Sequence, residues 1–316
     1  MNFDVKSRTI LFVRHGSHAY GLNIASSDTD YKGVCVKPKA AYLGFLENFE
    51  QAEHMASKSE GVDSVTYSLD KFAHLAADCN PNIIEVLHVD ESDVINMDEF
   101  GEELRAMRDH FMSRKAKFTF AGYAHAQLKR IKTHRAWLLK PPPAPPTRKE
   151  FGLSEETKVT PAEFGAFEAA VMQNLDLDMS HDVLTMFLRE KQYRAAKTQY
   201  DQYVNWTKSR NPARASLEAQ FGYDTKHGMH LIRLMRMCKE ILLTGKVNVK
   251  RTDDVKELLD IRHGLREYDS LVEEAETLEK ECDALYTTSP LPKEPNRKSL
   301  DAAIVSMTER YLSKHG

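Results

Sequence analysis

The sequence predicts an α+β protein, with strands and helices mixed in its first third and helices alone thereafter. Two observations carry this. Short runs rich in β-branched and aromatic residues, each stopped by glycine, proline or a polar cluster, are confined to the first 70 residues. From about residue 96 onward the apolar residues recur at helical spacing. At 316 residues the chain exceeds the roughly 100–200 residues typical of one domain, so two are expected: residues 1–112, mixed, and residues 113–316, helical.

Taken in order, "TILFVR" (9–14) reads as a strand ending near Gly16. "DYKGVCV" (30–36) alternates and stops before Pro38, and "DSVTYSL" (63–69) is rich in β-formers. "LDKFAHLAA" then sets Leu69, Phe72, Ala73, Leu75 and Ala76 on one helical face. "NPNIIEVLH" opens with an asparagine cap and a proline at the first helical position. The stretch 101–140 predicts two helices broken near Ser113. "PPPAPP" (141–146) forms a stiff, extended connector. Helical patterns follow over 161–174, 181–209, 211–243 and 253–284, with Gly245 closing the third. "SPLPKEPN" (289–296) precedes a last short helix.

A hydrophobic content of 41% and a charged content of 29% are ordinary for a globular protein. The N-terminus has no secretory pattern, and no run approaches the ~18 apolar residues of a membrane span, so a cytoplasmic protein is expected. The four scattered cysteines (Cys35, Cys79, Cys238, Cys282) fit free thiols in a reducing compartment. The net charge of −3 conceals polarity: residues 114–140 carry eight Lys/Arg and no acid, whereas acids dominate 253–283. A basic helix attracts nucleotide or nucleic acid if it faces a phosphate-handling site; otherwise it is a solvated face.

"ILFVRHGSHAYG" (10–21) has two readings. Arg14-His15-Gly16 matches a histidine phosphatase. The same triplet recurs at Arg262-His263-Gly264, inside a helical pattern without a strand end, so the three letters arise here without that context. Gly16-Ser17 suits a nucleoside triphosphate: glycine lets a ligand approach the backbone. Ser17, capping "HAYGL", adds a hydroxyl to the N–H groups of a helix start. Twelve residues on, "SSDTDYKGVCV" places Asp28 and Asp30 two apart at a strand start, so both face one side with Lys32, Val34 and Val36. Two adjacent carboxylates repel unless a cation lies between them, and a divalent ion with triphosphate oxygens relieves that.

"GSHAYGL…SDTDYKGV" resembles the nucleotide- and metal-binding motif of the DNA polymerase beta-type nucleotidyltransferase superfamily. "DSVTYSLDKFAHLAADCNPNIIEVL" and "FGYDTKHGMHLIRL…EILLTG" resemble its predicted nucleotidyltransferases, which include an RNA-ligase-associated group of bacteria and tailed phages. The likeness spans roughly residues 8 to 296. It implies a small mixed sheet with flanking helices, a helical C-terminal part, and nucleotidyl transfer with magnesium (two ions, or manganese in its place). It also implies a third carboxylate on a neighbouring strand. Asp63 fits that place best, with Glu60 and Asp70 as alternatives. Asp28, Asp30 and Asp63 are then both catalytic residues and metal ligands.

In the helical half, Lys226, His230 and Arg233 form one stripe at i, i+4 and i+7 beside the apolar Leu231, Leu234 and Met235. Lys226 and Arg233 are candidates for triphosphate contact, and His230 for a hydrogen bond within the stripe. Arg210, before Asn211-Pro212, is a further basic candidate, with a helix-to-helix corner as its plainer explanation. Tyr123, near Gln127, Lys129 and Arg130, suits base stacking or a core position. The leading expectation is a metal-dependent enzyme that moves NMP from an NTP, ATP first, to an acceptor hydroxyl, releasing pyrophosphate. An RNA or DNA end is the preferred acceptor; a protein or small molecule stays open, as does a non-catalytic nucleotide- or RNA-binding module.

Overall fold

The structure is a computed structural model that describes residues 3–46, 48–54, 62–157, 159–173 and 180–315. By its contacts the chain divides into two compact units, one of residues 1–131 with 223–316 and one of residues 132–222. The units thus cross the division expected after residue 112, because the last helices pack with the first third rather than with their sequence neighbours.

The first unit is built on a five-stranded sheet in the order β3-β4-β2-β1-β5. β1 (Thr9–His15) leads into a single helical turn, α1 (Gly16–Ala19), and β2 (Thr29–Cys35) returns antiparallel to β1. After the short α2 (Lys39–Leu43) come β3 (Gln51–His54) and β4 (Val62–Ser68). β4 pairs antiparallel with β3 and parallel with β2, making the sheet mixed, as the resemblance implied. α3 (Leu69–Ala77) buries Leu69, Phe72 and Ala76. α4 (Pro81–His88) starts as its sequence predicts, with Asn80 accepting from the Asn82 N–H and Pro81 at the first position. β5 (Val94–Met97) closes the far edge beside β1.

Beyond the sheet, α5 (Glu99–Ala106) ends before the break expected near Ser113, and a π-helical turn at Lys117–Ala121 runs into α6 (Gly122–Leu139). α7 (Pro161–Met172), α8 (His181–Ser209) and α9 (Pro212–Phe221) belong to the second unit, whose apolar core is Val159, Phe164, Phe167 and Phe187. Asn211 caps α9 with bonds from the Ala213 and Arg214 N–H groups, so the corner expected there is real.

The chain then re-enters the first unit with α10 (Thr225–Thr244), α11 (Val255–Arg262), α12 (Tyr268–Thr288) and α13 (Arg297–His315). Two of the expected long helices are therefore broken. The 211–243 pattern is interrupted at Gly222 (φ +77°), and the 253–284 pattern at Gly264 (φ +78°). At both, glycine takes the left-handed conformation that ends helices. α10 is buried on most of its circumference, as suits a helix central to a core. Among the described residues no helix is long and apolar enough to cross a membrane.

The charge polarity is largely consumed inside this unit. Arg236 of α10 bonds Asp254, Glu257 and Glu274, Lys239 bonds Glu281, and Lys117 of the basic run meets Asp283 at 2.6 Å. Lys115 lies 3.4 Å from Asp78. The first part of the basic run is thus tied to acids of its own chain.

Candidate active site

The candidate site lies where β1 ends, β2 begins and β4 begins. Asp30 faces His15 across the β1–β2 ladder and Asp63 across the parallel β2–β4 ladder. Paired residues on adjacent strands point to the same side of a sheet, so the third carboxylate expected at Asp63 stands directly beside Asp30. Asp28 lies one residue before β2 and is exposed, so it is not in the ladder row that its spacing suggested. It still acts on Asp30 through its charge. Asp70, an alternative third acid, belongs to the other end of β4, where it pairs with Lys37 at 2.8 Å. Ser68, at that end, is roughly 17 Å of strand from Asp63. Glu60, the other alternative, lies outside the described residues.

Gly16 has φ +67°, and a β-carbon there would fall on Oδ2 of Asp30 and lie 3.0 Å from its Cγ. Only glycine permits this approach. Because Gly16 turns the strand straight into α1, the helix begins two residues earlier than the sequence suggested. His15 occupies the cap position, without a side-chain cap bond, and Ser17 sits inside the turn, not at its cap.

The electrostatics follow from burial and neighbours. Burial is the chief cause raising the Asp30 pKa, and Asp63 and Asp28 add to it; Lys226 and Lys32 oppose it. Lys226, on the first turn of α10, lies close enough to Asp30 for its charge to act there. Lys32, in Asp30's row, donates to the Asn82 carbonyl at 3.3 Å, and burial lowers its pKa to about 8. His230, one turn beyond Lys226, packs edge-on to Tyr20 with ring centroids 6.3 Å apart.

Arg233 does not join that open stripe. It is 4% exposed, its Nη1 donates to Glu85 Oε1 at 2.6 Å, and its guanidinium lies 3.7 Å over the Tyr20 ring. It is committed to the interior, which corrects its expected role as a triphosphate contact. The reason is Glu85, a lone acid on the buried face of α4. A buried carboxylate must be paired, and Arg233 pairs it. Glu85 Oε2 also accepts from the Tyr20 hydroxyl at 2.5 Å and lies 3.3 Å from His15 Nε2. Burial alone would raise Glu85, but Arg233, His15 and Tyr20 outweigh it and hold its pKa well below the carboxylate range. Burial lowers His15 to about 4. The ring of His15 is thus an internal, neutral group, unlike a displayed phosphatase histidine. Sequence reasoning missed Glu85 and Tyr20; the available signal was one acid within "NIIEVL".

Arg210 belongs to the 132–222 unit, where Glu218 holds it at 2.5 Å and it stacks on Trp206. Tyr123 is exposed and Gln127 buried.

One comparison bears on the N-terminal stretch. Residues 3–141 match the RNA repair pathway DNA polymerase beta family (RlaP). The resemblance read from "GSHAYGL…SDTDYKGV" is borne out over that stretch, which holds Gly16, Ser17, Asp28, Asp30 and Asp63. An uncharacterized 38.9 kDa protein in the nrdC-mobD intergenic region of Enterobacteria phage T4 is 28% identical over 131 residues, 38% of each chain. No solved structure matches. The family match stops at residue 141, so Lys226 and His230 lie beyond it, and only their position beside Asp30 and Tyr20 argues for them. Nucleotidyl transfer, with the divalent metal that DNA polymerase beta-type enzymes generally use, is what this family suggests.

Proposed function

We propose that the protein transfers an NMP from an NTP, ATP foremost, to the hydroxyl of an acceptor, with release of pyrophosphate. The observation that carries this reading is the register pairing of Asp30 with Asp63 beside Gly16. The acceptor best suited to an RNA repair family is an RNA end.

The donor set fits magnesium in its chemistry. Asp28, Asp30 and Asp63 offer hard oxygen ligands; burial does most to raise Asp30, and the repulsion that Asp63 and Asp28 add is what a divalent ion relieves. Among the described residues no three such side chains form a ready metal cage, so substrate oxygens would have to complete the coordination. When bound, such ions neutralise the charge of the triphosphate and of the attacking and leaving oxygens.

The chain's own groups do the rest. The Gly16-Ser17 backbone and the Ser17 hydroxyl hold the β- and γ-phosphates, and Lys226 and Lys32 bring positive charge to them, with His230 beside Lys226. Asp63, exposed at its strand end, accepts the proton of the acceptor hydroxyl. The hydroxyl oxygen bonds to the α-phosphorus as the bond to the β-phosphate oxygen breaks, and pyrophosphate leaves on the Gly16 side. Positioning and charge neutralisation, not covalent help, drive such a step.

The test is incubation of the protein with α-labelled NTPs and RNA, DNA, protein and small-molecule acceptors, with magnesium or EDTA. Label moving to an RNA end only with magnesium supports the reading. Label on none of the acceptors contradicts it.

A further inference from the structure

The 132–222 unit holds an aromatic cluster that the transfer reading does not use. Trp137 of α6 and Trp206 of α8 are the chain's two tryptophans, and their rings lie 5.3 Å apart. Tyr203 meets them at 5.7 and 6.0 Å, and Tyr200 extends the stripe 6.2 Å from Tyr203. Spacing of three residues keeps 200, 203 and 206 along one side of α8. All four rings are only part-buried, and none belongs to the unit's apolar core.

The cluster is held in shape by a buried acid. Glu218, 3% exposed, lies with Oε1 2.9 Å from His134 Nδ1, while its Oε2 accepts from Arg210 Nη2 at 2.5 Å. His134 stacks on Trp137 with planes 21° apart, and the Arg210 guanidinium lies 4.3 Å over Trp206. One carboxylate therefore orients two cation-capable groups against the two indoles.

The helix that carries Tyr200, Tyr203 and Trp206 is basic. Residues 189–214 carry seven Lys/Arg against Glu190 and Asp201. Lys140, one turn past Trp137, and Lys197, one turn before Tyr200, are exposed and make no ion pair among the described residues. Part-exposed aromatic rings with two unpaired lysines near them in the chain match what a single strand offers: bases to stack and phosphates to pair. A duplex hides its base faces, and an apolar protein partner would leave the lysines unmatched.

We propose that this face binds single-stranded nucleic acid, with bases stacked on the part-exposed rings of Trp137, Tyr203 and Trp206 and phosphates met by Lys140 and Lys197. This goes beyond the transfer reading and stands without it, because binding is read from the tryptophans and not from product.

Both tryptophans lie in the cluster, so tryptophan emission, excited beyond the tyrosine absorption band, reports on it alone. The intact protein is titrated with oligouridylate RNA or oligothymidylate DNA of about 16 nucleotides, and with a duplex of that length. Quenching by either single strand, with at most weak binding of the duplex, is expected. Lys140→Glu with Lys197→Glu, both on the surface, should weaken binding about tenfold. Trp137→Phe keeps an aromatic ring and should still bind, with the signal from Trp206 alone. Absence of quenching, equal affinity for the duplex, or wild-type affinity in the double lysine variant would each overturn the proposal.

Discussion

A β-carbon on Gly16 would overlap Oδ2 of Asp30 and approach its Cγ to 3.0 Å. The turn that follows β1 and the carboxylate that opens β2 are therefore fitted to each other. Gly16→Ala meets two obstacles, the overlap and the left-handed φ of +67°. The dihedral alone costs about 1–3 kcal/mol. Urea unfolding should show at least that loss, and NMP transfer should fall more than tenfold as Asp30 is displaced. An alanine variant with wild-type transfer would mean that Asp30 is not held by this contact.

Asp30 itself works against stability. Burial and the neighbouring Asp63 and Asp28 raise its pKa, so its ionised form is disfavoured in the folded state. Removing the charge relieves this at neutral pH. Asp30→Asn is expected to melt above wild type in metal-free buffer by differential scanning calorimetry. A lower melting temperature would show that the carboxylate serves the fold.

The network under the site predicts sensitivity to acid. His15 falls from 6.5 to about 4 in the folded state, so the unfolded chain binds the extra proton as pH drops between those values. Stability attached to His15 is complete above pH 6.5 and declines toward 4, by about 2 kcal/mol between pH 7 and 5. Glu85, whose pKa is depressed, adds its own loss below the ordinary glutamate range. Denaturant curves at pH 7 and 5 measure this, and His15→Gln should flatten the difference.

Glu85→Ala leaves Arg233 buried without its partner, at a cost of about 3–5 kcal/mol. Unfolding in urea at pH 7 measures it. A loss under 1 kcal/mol would mean that Arg233 finds another acceptor.

Lys226→Ala removes the cation that most opposes the raised pKa of Asp30. A charged contact to substrate is worth about 1.5–3 kcal/mol, so kcat/KM for the NTP should fall roughly tenfold to a hundredfold. An unchanged value would separate Lys226 from the substrate.

Much of this was legible because strand periodicity and glycine punctuation are local properties. The runs at 9–14, 30–36 and 63–69 fall on β1, β2 and β4. β3 and β5 were not foreseen: both are four-residue edge strands without buried-exposed alternation. The return of α10 to the first unit was hidden for a different reason. Nothing in "MHLIRLMR" says that Arg233 answers Glu85, 148 residues earlier; helical spacing groups Arg233 with Lys226, whereas burial separates them. Pairing across such distances leaves no local trace beyond a lone acid in an apolar helix.

Asp30 is the carboxylate on which the proposed nucleotidyl transfer depends. The most direct measurement of that dependence is magnesium-dependent transfer of α-labelled NMP by wild type and by Asp30→Asn, each shown folded by circular dichroism. Loss of transfer by a hundredfold or more in a folded Asp30→Asn protein is the expected result. Transfer at the wild-type rate would contradict it.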